Sequence, residues 1–400
     1  MGCSIFHFTF MGFFFNSSTP VLSSFILLLI QTLCHDHEIS ALLQLKENLI
    51  VNKSASLSPL AYPKVASWKS RASYSDSCLC DGVECDANTG HVISLDLSSS
   101  CLYGSLNSNS SLFRLVHLQR LNLATITSTT LKSHPKKSSV SNFIEAITLQ
   151  LLRLHPILDW ESHLTLNSSP LEQSIDRRSA KVIGQLQNAR DLVLSSNQVK
   201  DMFPSWLGNL LNLKILSLRG DKFHGPIQAN KLAYKFPSLQ IIDLSQNNFV
   251  GKLPLELLGN RKALRSAYLT YFNVTSESSD GYDWHYIYNY SMTLTNKGIN
   301  IIYERVQESF AAIDLSSNGF VGRIPESIRN FEGLHLLNLS NNIVTGQIPP
   351  FLGKLTKLEA LDLSHNKLFG KIPQELTNLT FLGVFNVSHN HFMGPIPQGK

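Results

Sequence analysis

An α/β solenoid of stacked coils is the fold class that this 400-residue sequence predicts, on three observations. From Phe310 to Lys400 one pattern occurs four times, the last three copies reading LLNLSNNIVTGQIPP, ALDLSHNKLFGKIPQ and VFNVSHNHFMGPIPQ. Asn318, Asn342, Asn366 and Asn390 fall 24 residues apart, as do Gly322, Gly346, Gly370 and Gly394, and Pro325, Pro349, Pro373 and Pro397. A strict period of this length signals units that stack rather than one closed globule. The Gly and Pro in every unit exclude an amphipathic helix bundle.

Each part of the unit has a physical reading. In L-x-x-L-x-L, as at Leu358, Leu361 and Leu363, the leucines point inward and the residues between them face solvent, the alternation of a short strand. Parallel stacking of such strands makes one continuous concave sheet. The Asn that follows stands where the chain turns off the sheet, and its amide can pair backbone groups that the bend would orphan. Losing such a buried partner costs about 1–3 kcal/mol. The Gly permits a tight turn, and the Ile-Pro step sets an extended return path on the far side. No single unit can bury its own leucines, so the array is the folding unit.

Upstream, Asn197, Asp221 and Asn247 hold the same ladder position in residues 185–264. Asp221 can accept hydrogen bonds but, ionised, cannot donate, so its turn is expected to be looser. Trp206, in FPSWLGNL, fits the convex side of a unit. Residues 91–125 hold the first units, HVISLDLSSSCLYGSL and HLQRLNLA. Residues 126–184 contain only fragments, and two readings stay open: a degenerate folded stretch, or repeats lost or misjoined. Such a gap is expected to interrupt the Asn ladder and leave carbonyls unpaired. Residues 265–309 are a second interruption of another kind, rich in Tyr and Trp, after which the pattern resumes at residue 310.

The first 33 residues hold two apolar blocks without Lys or Arg, and VLSSFILLLIQTLC has the length of a secretory leader rather than a membrane span. Phe6 stands where a myristoylation signal needs Ser or Thr. Cys34, Cys78, Cys80, Cys85 and Cys101 suit an oxidising compartment. With 43% hydrophobic and 16% charged residues and a net charge of +5, the balance is ordinary and does not suggest nucleic acid.

The pattern L-x-x-L-x-L-x-x-N-x-L-x-G-x-I-P resembles the plant-type leucine-rich repeat. EISALLQLKENL, Ser67, Trp68 and CLCDGVEC resemble the N-terminal cap of plant leucine-rich-repeat ectodomains, expected over residues 34–90, with a helix covering the open end of the first coil. The resemblance implies disulfides there. Ser77 and Cys80 depart from the family pattern, and the expected pairing is Cys34 to Cys78 or Cys80, with the other joined to Cys85. The interruption, ending in SMTLTNKGINIIYERV, resembles the island domain of plant receptor-like proteins, which stands four repeats before the end of the array. The resemblance further implies a C-terminal cap, a membrane helix and a short cytoplasmic tail beyond Lys400, so the chain is expected to be a shortened copy of a receptor-like protein.

No phosphate loop, H-E-x-x-H or G-x-S-x-G on a strand-to-helix turn is present, and kinase signatures are absent, so neither enzyme nor cofactor is expected. Asp243, Asp314 and Asp362 share a strand column and read as a solvated acidic stripe; His365 and His389 share another and read as neutral surface residues. Sequons stand at Asn52, Asn109, Asn167, Asn273, Asn289, Asn338, Asn378 and Asn386. Glycans at Asn338 and Asn386 would block the concave face of the last coils. Ligand contacts are therefore expected on the island, at Tyr282, Trp284, Tyr286 and Tyr288, and on the units before it, at Ser217, Arg219 and Asp243. By resemblance, the ligand is an extracellular peptide, protein or glycan, receptor kinases dock as co-receptors on the late repeats, and the protein works at the plasma membrane. A secreted inhibitor similar to the polygalacturonase-inhibiting proteins is the alternative, opposed by the island.

Overall fold

The computed structural model describes residues 34–52, 61–68, 80–104, 110–124, 188–204, 207–208, 210–227, 236–255, 287–288, 292–296, 299–303, 306–307 and 310–399. One ten-stranded sheet runs along the molecule. Its strands are β1 (Val83–Cys85), β2 (Val92–Asp96), β3 (Arg120–Asn122), β4 (Asp191–Val193), β5 (Ile215–Ser217), β6 (Ile241–Asp243), β7 (Ala312–Asp314), β8 (Leu336–Asn338), β9 (Ala360–Asp362) and β10 (Val384–Asn386). β1 runs antiparallel to β2, and every later neighbour is parallel. The centre of each strand from β3 to β9 is a buried aliphatic residue, Leu121, Leu192, Leu216, Ile242, Ile313, Leu337 and Leu361, and these form the spine of the core.

The turn after each strand follows from two features. The residue before the ladder position takes a left-handed conformation, with φ of 59° at Ser196, 55° at Gln246, 54° at Ser317, 53° at Asn341 and 52° at His365. That geometry costs an L-residue about 1–2 kcal/mol, which the ladder hydrogen bonds offset. Beyond the turn, His224–Pro226, Asn248–Lys252, Gly319–Gly322, Ile343–Gly346, Lys367–Gly370 and His391–Phe392 pair into a second parallel sheet of six strands. The Ile-Pro step then opens a short 3₁₀ turn: Pro325, Pro349 and Pro373 N-cap Glu326–Asn330, Pro350–Lys354 and Gln374–Asn378. Neighbouring turns pack so closely that a Cβ on Gly353 would lie 2.2 Å from the Glu375 carbonyl oxygen.

The array does not break where its sequence pattern does. β3 pairs directly with β4, Leu121 against Leu192, and β6 with β7, Ile242 against Ile313; each step passes over 71 residues. The expected interruption of the ladder before residue 185 holds for half of the rung: Asn197 donates to the Leu123 carbonyl at 2.9 Å, across the gap, while its Oδ1 has no partner. The carbonyl that the gap would have orphaned is paired because the two flanking coils sit side by side.

At the N-terminal end, helix α1 (Asp36–Glu47) buries Ile39, Ala41, Leu42 and Leu45 against the first coil. The Lys46 ammonium at its end donates to the Trp68 carbonyl, and the buried Trp68 indole N–H donates to the Asp81 carbonyl at 3.0 Å. A disulfide joins Cys34 to Cys85, which corrects the expected pairing of Cys34 with Cys78 or Cys80. The physical reason is position: Cys85 ends β1, the strand that edges the sheet beside the start of α1. A bridge over 51 residues stabilises by about 4 kcal/mol. Cys80 packs partly buried against the core, and Cys78 lies outside the described residues.

Candidate ligand-binding face and its buried carboxylates

The ladder residues are placed first, because they fix every strand above them. Nδ2 of Asn247, Asn318, Asn342, Asn366 and Asn390 each donates to two carbonyls of its own turn and to a leucine carbonyl of the coil before. Their Oδ1 atoms accept from the N–H of Phe223, Phe249, Phe320, Val344 and Leu368 in the preceding coil. Asn197 makes the donated set through Leu123, Leu194 and Ser195, while its buried Oδ1 has no partner, at the gap. Asp221 keeps only the accepting half. Its Oδ1 takes the N–H of Asn197 at 2.8 Å and of Val199 at 3.0 Å, and its buried Oδ2 is unpartnered. Burial pushes its carboxyl up to about 8, against which the backbone N–H groups pull only in part. Burial thus favours the protonated carboxyl, which offers an O–H where an Asn would offer its amide.

The strand-end column comes next. Oδ1 of Asp243, Asp314, Asn338, Asp362 and Asn386 accepts from the backbone N–H of the Ser two residues on, at Ser245, Ser316, Ser340, Ser364 and Ser388. An Asx-x-Ser step thus closes each strand from β6 to β10, and where the Asx is Asn, at Asn338 and Asn386, it also spells a sequon. The acidic stripe is not solvated as expected: Asp243 and Asp314 are fully buried, and Asp362 is half-buried. The Arg219 guanidinium lies 3.9 Å from Asp243 Oδ2 and 3.8 Å from Asp314 Oδ2, one cation between two carboxylates of paired strands. Burial raises Asp243, with Arg219 opposing, and burial plus the Asp243 charge pushes Asp314 up to about 7. One strand row away, burial also lifts Asp191 to about 6.

This face, opposite the core, also carries a buried apolar cluster of Val193, Ile215, Ile241, Ala312, Leu336 and Ala360. The strand Met292–Asn296 of the inserted segment, antiparallel to Ile299–Tyr303, packs beside β8. Of the expected contact residues, Ser217, Arg219 and Asp243 are thus 3%, 6% and 0% exposed, beneath the surface rather than on it. Tyr288 lies in the strand Ile287–Tyr288, paired with Val306–Gln307; Tyr282, Trp284, Tyr286 and Trp206 fall outside the described residues. Among the sequons, Asn52 and Asn378 are exposed, Asn386 is half-buried and Asn338 is 3% exposed; Asn109, Asn167, Asn273 and Asn289 fall outside the described residues. Among the described residues, no group of three or more His, Cys, Asp or Glu could hold a metal ion, and no helix is long and apolar enough to cross a membrane.

Sequence reasoning missed two groups. Asp191 carried no signal, and neither did the pairing of Arg219 with Asp243 and Asp314, since only the register of neighbouring coils brings these charges together. The histidines at the N-terminal end did carry one: His91 and His117 both stand directly before the first leucine-position residue of their coil.

Comparison with known proteins defines the class first. The Leucine Rich Repeat family model matches residues 238–260, 333–355 and 357–379. The ectodomain of the Arabidopsis receptor kinase HAESA bound to the IDA peptide hormone superposes with a TM-score of 0.55 at 22% identity, over 90% of this chain and 42% of that one. The chain is a leucine-rich-repeat solenoid. Its sequence relatives are receptor-like proteins of Arabidopsis thaliana: Receptor-like protein 6 is 36% identical over 272 residues, 63% of this chain, and Receptor-like protein 18 is 38% identical over 209 residues, 48% of this chain. Together these matches support a plant leucine-rich-repeat receptor-like protein. The chain spans 27% and 23% of the length of those two relatives.

Proposed function

We propose that the chain is an extracellular, non-catalytic perception module: it binds a peptide, protein or glycan ligand and passes the signal to partner receptor kinases at the plasma membrane, in defence or development. The observation that carries this reading is the segment inserted between β6 and β7. The coils on its two sides remain paired, so the segment adds nothing the solenoid needs. It also brings the strand Met292–Asn296 beside β8. Loops held by a rigid frame are where binding residues concentrate. Solved neighbours support the partner class, since the HAESA ectodomain has been crystallised with a peptide hormone and with the co-receptor SERK1. Late coils, whose strand-end residues Asp362 and Asn386 reach solvent, are the expected co-receptor side.

The test is a pull-down of the purified chain with receptor-kinase ectodomains, run beside inhibition assays on cell-wall hydrolases. Capture of a kinase ectodomain that fails when residues 265–309 are replaced by a short linker is the expected result. Stoichiometric inhibition of a polygalacturonase, unaffected by that replacement, would instead establish the secreted-inhibitor reading.

A further inference from the structure

Four histidines gather around one buried carboxylate where α1 meets the first two coils. His35 stacks on His91 at 4.1 Å between ring centroids, and His91 stacks on His117 at 3.8 Å. His37 lies 5.6 Å from His35 and 6.5 Å from His91. Beneath them Glu38 is fully buried; its Oε2 accepts the N–H of Val92 at the start of β2, and its Oε1 faces His91 Nδ1 at 3.4 Å. His35 Nε2 donates to the Thr89 carbonyl at 3.1 Å. The other charged groups around the cluster are Asp36 on α1, Asp86 in the turn before β2, whose Oδ1 accepts from Asn88 and Thr89, and the exposed Arg114 on the 3₁₀ turn packed beside α1.

We propose that His35, His37, His91 and His117, stacked over the Glu38 carboxylate, form an acid-triggered latch that releases α1 from the first coil. The ring centroids of His35 and His91 lie 4.1 Å apart and those of His91 and His117 3.8 Å apart, so charging neighbouring rings sets like charges face to face, where they repel. Burial and the neighbouring His91 already hold His117 below its usual range, so the neutral His117 ring stabilises the docked cap above the ordinary His range, and that stability is lost as pH falls through it. Release separates α1 from Val92 and loosens the outer edge of the sheet. The Cys34–Cys85 bridge, next to His35, keeps the helix tethered, so neutralisation restores docking.

Hydrogen–deuterium exchange of the full, oxidised chain tests this, at pH 7.5 and 5.0 with correction for intrinsic exchange rates. Peptides covering residues 36–47 are expected to exchange at least tenfold faster at pH 5.0, with peptides from 336–358 nearly unchanged. His117→Gln removes an exposed ring from the stack without touching the core, and is expected to cut the acid response to under threefold. Equal protection of 36–47 at both pH values in the unaltered chain, or a full acid response in His117→Gln, overturns the proposal.

Discussion

Coils β8 to β10 and coils β4 to β7 share one template but differ in how they meet its polar demands. In the late coils the ladder positions are Asn342, Asn366 and Asn390, which donate and accept without any proton being exchanged. In the middle coils Asp221 takes one ladder position among Asn197, Asn247 and Asn318, and the inner strand face adds Asp191, Asp243 and Asp314, all buried, all raised above the usual carboxylate range. The same coil can therefore hold an amide or a carboxyl whose burial favours its proton. The first choice makes a frame indifferent to pH, and the second couples the frame to pH at the place where the inserted segment joins.

The largest expected effect breaks the late array. Asn366→Ala removes three donated bonds and one accepted bond, stranding the N–H of Val344 and leaving the carbonyls of Leu339 and Leu363 with one ladder donor each, Asn342 and Asn390. A loss of about 3–5 kcal/mol is expected, read by equilibrium denaturation, and independent of pH between 5 and 8. A loss under about 1 kcal/mol would mean that the ladder does not carry these coils.

Arg219→Leu is next, because it leaves Asp243 and Asp314 without the cation between them. The expected loss is about 2–4 kcal/mol at pH 8. Asp314 is raised in the folded chain, so its stabilising proton is fully bound below the ordinary carboxylate range and is lost as pH rises through about 7. The variant should accordingly come close to the unaltered protein at pH 5, and a loss equal at both pH values would exclude charge as the cause.

Asp221→Asn sharpens the comparison by giving a middle rung the late chemistry. The raised carboxyl implies stability that fades as pH climbs from the ordinary Asp range through about 8. The amide removes that dependence, and a gain of about 1–3 kcal/mol at pH 8 is expected, seen as a thermal midpoint that no longer falls between pH 5 and 8. A variant less stable than the parent at pH 8 would show that Oδ2 finds a partner in the ionised state.

The smallest effect concerns sugar rather than stability. Asn338 is buried and its Oδ1 accepts from the Ser340 N–H and hydroxyl, whereas Asn378 is exposed. Glycopeptide mass spectrometry of chain secreted from plant cells is expected to find Asn378 occupied and Asn338 bare. A glycan on Asn338 would show that this sequon meets the transferase before the coil closes.

What was legible in the sequence was whatever one coil states by itself. The inward leucines, the turn Asn and the Ile-Pro return of residues 310–399 are local, and their 24-residue period survives any neighbour. What was not legible depends on which coils touch. Nothing between residues 125 and 187 announces that Leu121 pairs with Leu192, and three closely spaced cysteines do not say which sulfur faces Cys34. The burial of Asp243 failed for a related reason: alternation shows that it points away from the core, but not that the inner face would be buried as well.

The two 71-residue steps carry a wider consequence. Since each flanking coil already finds its neighbour, the spine closes whatever length of chain joins the two coils. Doubling the length of such a connection costs only about 0.6 kcal/mol, so the register of the spine constrains the connecting sequence little.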